Sequence, residues 1–272
     1  MISGDGRLPV MLVEASRERG DPVHVVQLKG HGDPARFGPD VDVAEIRLGA
    51  ARKILKQVEA HGSDRLVMAG HVRRPSLSEI RPDTLGLKLM GRIAGKALGD
   101  DGLLRIVETF IEEMGFKLIG PDEVLSSLLA PEGVITDQQP DEVAETDITR
   151  GIEVVTALGQ VDVGQGAVIQ QGIAIAVEAI EGTDAMLTRA ATLQREGPGG
   201  VLVKLSKPGQ TRRLDLPTIG PDTVKVAAKA GLRGIAVEAG NALIVDRAEM
   251  VRLADEKGVF IKGIVVDHGG AE

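Results

Sequence analysis

At 272 residues the chain exceeds the usual size of a single domain, so two domains of about 100–150 residues each are expected. A formal charge of −8, four Phe and neither Trp nor Tyr exclude the positive surface and stacking platforms of a nucleic-acid binder, and no nucleic-acid partner is expected. The absence of cysteine excludes disulfides and thiolate metal sites and suits a reducing cytoplasm, and no run reaches the about 18 apolar residues of a spanning helix. No secretion signal is read at the N-terminus.

Up to about residue 130, short apolar runs alternate with helical periodicity, the pattern of a parallel sheet flanked by helices. "MISGDGRLPV" has three residues before its glycine turn and reads as a truncated or frayed first strand. Strands are predicted at 23–28, 43–46, 65–69 and 116–119, and helices near 8–19, 50–61, 85–97 and 101–114. From Pro131 to about Thr146 the composition turns polar and reads as a linker, with a new helix capped at Asp147. Beyond it, "GAVIQQGIAIAVEAIEG", "GGVLVKLSK" and "GLRGIAVEAGNALIVDR" read as strands and hairpins, and 222–230 and 247–257 as helices. The expected fold class is an α/β N-terminal domain with a Rossmann-like parallel sheet (1–130), a linker (131–146) and an α+β C-terminal domain (147–272).

In "GDGRLP", Gly4, Asp5 and Gly6 could cradle a phosphate with backbone amides or form a plain strand-to-helix turn. Pro9 stands where the third glycine of a dinucleotide fingerprint belongs, and the second strand ends Gln27-Leu28-Lys29 without an acid, which argues against a nicotinamide enzyme. His71, Arg73 and Arg74 follow a predicted strand, where cations meet phosphates, or form a solvated basic loop. Asp100 and Asp101 suit helix capping better than metal binding. In the helix predicted at 85–97, Leu85, Leu89, Ile93 and Ala97 recur every fourth residue beside Lys88, Arg92 and Lys96, a face for a protein core or for an anionic bilayer.

In the second half, Glu178, Glu181, Asp184, Asp215 and Glu238 stand at predicted strand ends, with Lys204 and Lys207 nearby. Carboxylates in such places suit Mg²⁺, which takes one or two of them plus substrate phosphate. Asp215, in "RLDLPTIG", precedes a Pro and a Gly that end an extended segment and bend the chain; it is a catalytic carboxylate or an acceptor for turn amides. His-rich zinc spacing, a Ser-His-Asp arrangement and a P-loop are all absent from the pattern.

Taken in order, "GDGRLPV", "AGHVRRP", "GDDGLL", "DVGQGAV", "VEAIEGTDAML", "KPGQTRRLDLPTIG" and "GIAVEAG" resemble the UDP-2,3-diacylglucosamine pyrophosphatases of Gram-negative bacteria that lack the metallophosphoesterase-type enzyme. The resemblance implies Mg²⁺-dependent hydrolysis of UDP-2,3-diacylglucosamine to UMP and 2,3-diacylglucosamine 1-phosphate for lipid A. It also implies a cytoplasmic enzyme peripheral to the inner-membrane face, with a homodimer left open. The family's essential aspartate matches Asp215, and its Glu-Gly-Thr-Asp block matches residues 181–184; Asp5 replaces a usual Gly, and His71 a common Asn. The implied substrate-binding residues are Gly4, Asp5, Gly6, His71, Arg73, Gln165, Thr183, Asp184, Lys204, Lys207 and Thr218, and the implied metal ligands are Asp215, Glu178 and Glu181. The competing expectations are a Rossmann-type nucleotide-sugar enzyme and a non-catalytic nucleotide-sugar or lipid-binding protein.

Overall fold

The computed structural model describes residues 1–73, 80–93, 100–207 and 211–267. Arg74, Lys96 and Ala97 lie outside the described residues, as do the side chains of Asp100 and Asp101. The chain divides into two compact units, Met1–Ser126 with Thr211–Asp215, and Ser127–Gln210 with Leu216–Glu272.

In the first unit the elements are β1 (Ile2–Ser3), α1 (Leu8–Glu18), β2 (His24–Leu28), β3 (Asp42–Ile46), α2 (Ala51–Ala60), β4 (Arg65–Ala69), α3 (Thr84–Ile93), α4 (Asp100–Glu113), β5 (Lys117–Ile119) and α5 (Pro121–Val124). All strand pairs are parallel, in the order β3-β2-β1-β4-β5. The first strand is short but not frayed: it is the central one, with Ile2 facing Val26 on one side and Met68 on the other. A two-residue strand suffices there because neighbours on both sides take up its backbone groups.

Apolar alternation divides β2 between two layers. Val26 and Leu28 pack with Ile54, Leu55 and Val58 of α2 and Ile111 of α4, whereas Val25 packs with Val10 and Val13 of α1 and with Phe37.

The second unit comprises β6 (Gly133–Val134), α6 (Glu142–Gln160), β7 (Gly166–Gln170), β8 (Ile173–Val177), α7 (Thr183–Ala190), β9 (Val201–Lys204), β10 (Thr218–Ile219), α8 (Pro221–Lys229), β11 (Gly234–Glu238), β12 (Leu243–Ile244), α9 (Arg247–Lys257) and β13 (Phe260–Ile264). Its main sheet runs β6-β13-β11-β9-β7-β8, with a parallel centre (β13, β11, β9) and antiparallel edges; β10 and β12 form a separate parallel pair. Alternate residues again serve two layers. Leu202, Ile235, Val237 and Ile261 meet α7, α8 and α9, while Val201, Val203 and Ala236 meet α6. Gly151 lets α6 approach closely, since a Cβ there would lie 2.3 Å from Val203.

The polar stretch 131–146 is not a linker. Gly133–Val134 pairs with β13, and α6 begins at Glu142. Its cap is Asp141, whose carboxylate accepts from the Ala144 amide at 2.8 Å. Asp147 lies inside the helix, 1% exposed, and accepts from the Gly172 amide at 2.7 Å. Asp141 is the cap because its extended backbone lets the short carboxylate reach back to the Ala144 amide, while Glu142 and Glu145 complete an acidic first turn favoured by the helix dipole.

Candidate functional site

Strand register builds the first cluster. Gly166 pairs with Lys204, and Ala167 with Val177, so Glu178, Gly166 and Lys204 stand in one row at one end of the second sheet. Directly opposed residues of an antiparallel ladder project to the same face. Gly166 leaves that row open: a Cβ there would meet Glu178 Oε2 at 2.5 Å, and one at Gly164 would meet the Glu178 carbonyl at 2.0 Å.

Both ionisable members of the row are buried, Lys204 at 5% and Glu178 at 6% exposure. The Lys204 ammonium donates to Thr183 Oγ1 at 2.7 Å and more distantly to the Thr218 carbonyl at 3.5 Å; the Thr183 hydroxyl donates to Glu178 Oε1 at 2.9 Å. Burial in a low-dielectric setting makes such a base-hydroxyl-acid chain costly to interrupt. Glu178 Oε2 and Gln165 Oε1 are buried oxygens with no hydrogen-bond partner among the described residues.

The same sheet edge continues beyond β9 and β11. Ser206 donates to Glu238 Oε2 through its amide (2.9 Å) and hydroxyl (2.7 Å), and Asn241 donates to Glu238 Oε1 at 2.6 Å. Buried Lys207 binds Asp162 at 2.7 Å, and Asp162 takes a left-handed backbone, φ 53°. Two predicted residues stand apart from these bonds. Glu181 is exposed and held by Arg189 at 2.7 Å, a bond that lowers its pKa, and Asp184 is exposed in the first turn of α7.

In the first unit, Asp5 and His71 exchange both backbone hydrogen bonds at 2.8 Å, and a Cβ on Gly4 would lie 2.5 Å from the His71 carbonyl. Arg36 ties the turn together: its guanidinium donates to Asp5 Oδ1 (3.1 Å), the Gly6 carbonyl (3.0 Å), Ser3 Oγ (2.9 Å), Gln27 Oε1 (3.0 Å) and the Gly4 carbonyl. The Gly6 amide turns back to Asp5 Oδ1 at 2.8 Å. His71 and Arg73 are exposed after β4, and the Arg73 amide donates to His31 Nδ1 at 3.3 Å.

Asp215 belongs to the first unit, not to the C-terminal one, because Thr211–Asp215 packs as part of it. Leu214 packs on the first unit's core, Arg213 pairs with Glu112 at 2.7 Å and Glu108 at 3.3 Å, and Arg212 lies 3.9 Å from Asp122. The Asp215 amide closes the turn on the Thr211 carbonyl at 3.2 Å. Of the three expected metal ligands, Glu178 and Glu181 are on the second unit and Asp215 is on the first.

Comparison with known proteins also divides the chain in two near residue 130, but keeps 211–215 with the C-terminal part. The LpxI N-terminal domain model matches residues 1–128, and the LpxI C-terminal domain model matches 131–262. The chain belongs to the LpxI family. A relative from Caulobacter vibrioides, described as "UDP-2,3-diacylglucosamine pyrophosphatase LpxI", is 41% identical over 273 residues, covering 97% of this chain and 96% of its own length.

Within this LpxI chain, Arg36, Gln27, Asp162, Ser206 and Asn241 have parts in these networks that motif reading passed over. Arg36 had a local signal, since Asp33 and Pro34 open the short 3-10 helix that carries it. Asn241 and Ser206 had none, because each acts through a carboxylate 3 or 32 residues away.

Proposed function

We propose that the chain hydrolyses the pyrophosphate of UDP-2,3-diacylglucosamine, releasing UMP and 2,3-diacylglucosamine 1-phosphate for lipid A biosynthesis, with Mg²⁺ as cofactor. The observation that carries this reading is the near-full-length likeness to the Caulobacter relative of that name. The buried Lys204-Thr183-Glu178 chain supports it, because a fixed ammonium at a sheet end is suited to a phosphate oxygen.

In this reading water adds to the β phosphorus, the bond from that phosphorus to the bridging oxygen breaks, and UMP leaves. Asp215 orients the water or helps to hold the metal. Lys204 and Lys207 offset phosphate charge, and Thr183 keeps the Lys204 ammonium in place. Of the expected ligands, Glu178 keeps a buried Oε2 without a partner among the described residues, a hard donor of the kind Mg²⁺ takes, whereas Glu181 is held by Arg189. Bound Mg²⁺ would neutralise charge developing on the phosphate oxygens.

Phosphorus NMR of a UDP-diacylglucosamine turnover mixture tests both parts. UMP release that stops in excess chelator is expected; release undiminished by chelator removes the metal, and binding without any release favours a non-catalytic carrier.

The enzyme works at the cytoplasmic face of the inner membrane in this reading. No helix among the described residues is long and apolar enough to cross a membrane. On α3, Leu85 packs on the first unit's core and Arg92 pairs with Glu113 at 2.6 Å, while Leu87 and Lys88 remain exposed as the face for lipid. Lys88→Gln is expected to weaken sedimentation with anionic vesicles, and unchanged sedimentation removes α3 from the membrane contact. A homodimer would be recognised by sedimentation equilibrium.

A further inference from the structure

The ladder between β9 and β11 ends at Lys204, which pairs with Val237 on one side and with Gly166 of β7 on the other. Two strands therefore hold Lys204. Lys207 stands beyond the last pair, and its place is set by other bonds. The Leu205 amide donates to the Gln165 carbonyl at 3.0 Å, and the Ser206 amide, which has left the ladder, donates to Glu238 Oε2 at 2.9 Å. The Ser206 hydroxyl donates to the same oxygen at 2.7 Å.

Glu238 is the last residue of β11 and is 1% exposed. Its Oε1 accepts from the Asn241 side chain at 2.6 Å, and its carbonyl accepts from the Asn241 amide at 3.3 Å, so the turn after β11 fixes the carboxylate from behind. The side chain of Glu238 thus gives Ser206 the partner that the strand gives the residues before it. Both of its oxygens already accept hydrogen bonds, so this strand-end acid is engaged with the protein itself and not left open for a metal ion.

We propose that Glu238 is a positioning residue for the hydrolysis: through Ser206 it sets the main chain from which Lys207 meets the substrate phosphate. The proposal rests on the reading in which Lys207 offsets phosphate charge. Lys207 is then held at both ends. Asp162 Oδ1 takes the ammonium at 2.7 Å, and Glu238 fixes the backbone one residue earlier. The Lys207 side chain is 8% exposed, and a closely packed stem cannot swing to make good a displaced backbone.

A double-mutant cycle with Lys207→Met tests this, read as kcat/KM for UDP-diacylglucosamine beside thermal melts. Glu238→Met removes the acceptor, and a shift of about 1 Å in the lysine is expected to lower kcat/KM by about 10²-fold. In the Lys207→Met background the same change is expected to alter kcat/KM by less than about twofold, because nothing is left to position. Ser206→Ala deletes one hydrogen bond; it is expected to lower kcat/KM by about fivefold and to lose that effect in the same background. It decides the matter if Glu238→Met does not fold. Glu238→Gln keeps an oxygen toward Ser206 and lets the Asn241 amide turn over, so it is expected to restore most of the rate. A fall that repeats in full without Lys207, or no fall in any of the Glu238→Met and Ser206→Ala variants that fold, overturns the proposal while leaving Lys207 in its role. Wild-type kcat/KM in Lys207→Met alone removes Lys207 from the reaction, which overturns the underlying reading and the proposal with it.

Discussion

The Lys204 ammonium and the Thr183 hydroxyl lie 2.7 Å apart across 21 residues of sequence, and the same hydroxyl donates to Glu178. One oxygen thus joins a buried base to a buried acid. Thr183→Val keeps the shape and deletes both bonds, so a loss of about 1–3 kcal/mol in stability is expected together with slower turnover. Thr183→Ser is expected to restore both. Urea midpoints beside initial rates check this, and a Val variant as stable and as fast as wild type would refute the linkage.

Gly166 leaves room for the Glu178 carboxylate, since a Cβ would sit 2.5 Å from Oε2. Gly166→Ala is therefore expected to push the acid out of its row, costing about 1–3 kcal/mol as overpacking does and lowering activity. Thermal melts and rates at fixed substrate concentration measure the two effects. An alanine variant with unchanged melt and rate would mean that the acid moves without consequence.

For Asp215 the expectation is kinetic. Asp215→Ala should reduce kcat by about 10²–10⁴-fold, the span of general acid-base and electrostatic groups, with little change in substrate binding or melting temperature. A turn acceptor would behave in the opposite way. A lowered melt with a wild-type single-turnover rate would show that Asp215 only shapes the 211–215 turn.

The α6 cap has a pH signature. The Ala144 amide, and after it the Arg233 guanidinium, lower the pKa of Asp141 below its ordinary 3.8. A carboxylate with a depressed folded pKa contributes stability above the unfolded value, and this is lost as pH falls through the folded value. The stability gap between wild type and Asp141→Ala should thus be constant near neutrality and close below about pH 4, near the ordinary aspartate pKa. Denaturant titrations at several pH values measure it; a gap that persists in strong acid would assign the effect to packing.

The parallel strands of the first unit were legible because β2 and β4 are short segments centred on Val, Leu and Met. Two strands of the second unit's main sheet were not. Gly133–Val134 lies in a polar run, and Phe260–Ile264 carries Lys262, whose ammonium reaches Glu145 at 2.6 Å. Their strand character comes from partners far along the chain, which local alternation cannot report.

Composition and local order by themselves determined that this is a two-part α/β chain without aromatic or thiolate chemistry, and which block motifs it carries, because helical and strand periodicities and turn residues act within a few positions. Only the tertiary structure decided that Asp215 packs with the first unit, that Arg36 fills the Gly4–Gly6 turn, and that Asp42 meets His24 and His61, 18 and 19 residues away. No spacing rule announces such a meeting. Parallel pairing joins strands through long crossovers, so the side chains that share a sheet end are chosen by register and connection, not by nearness in the chain.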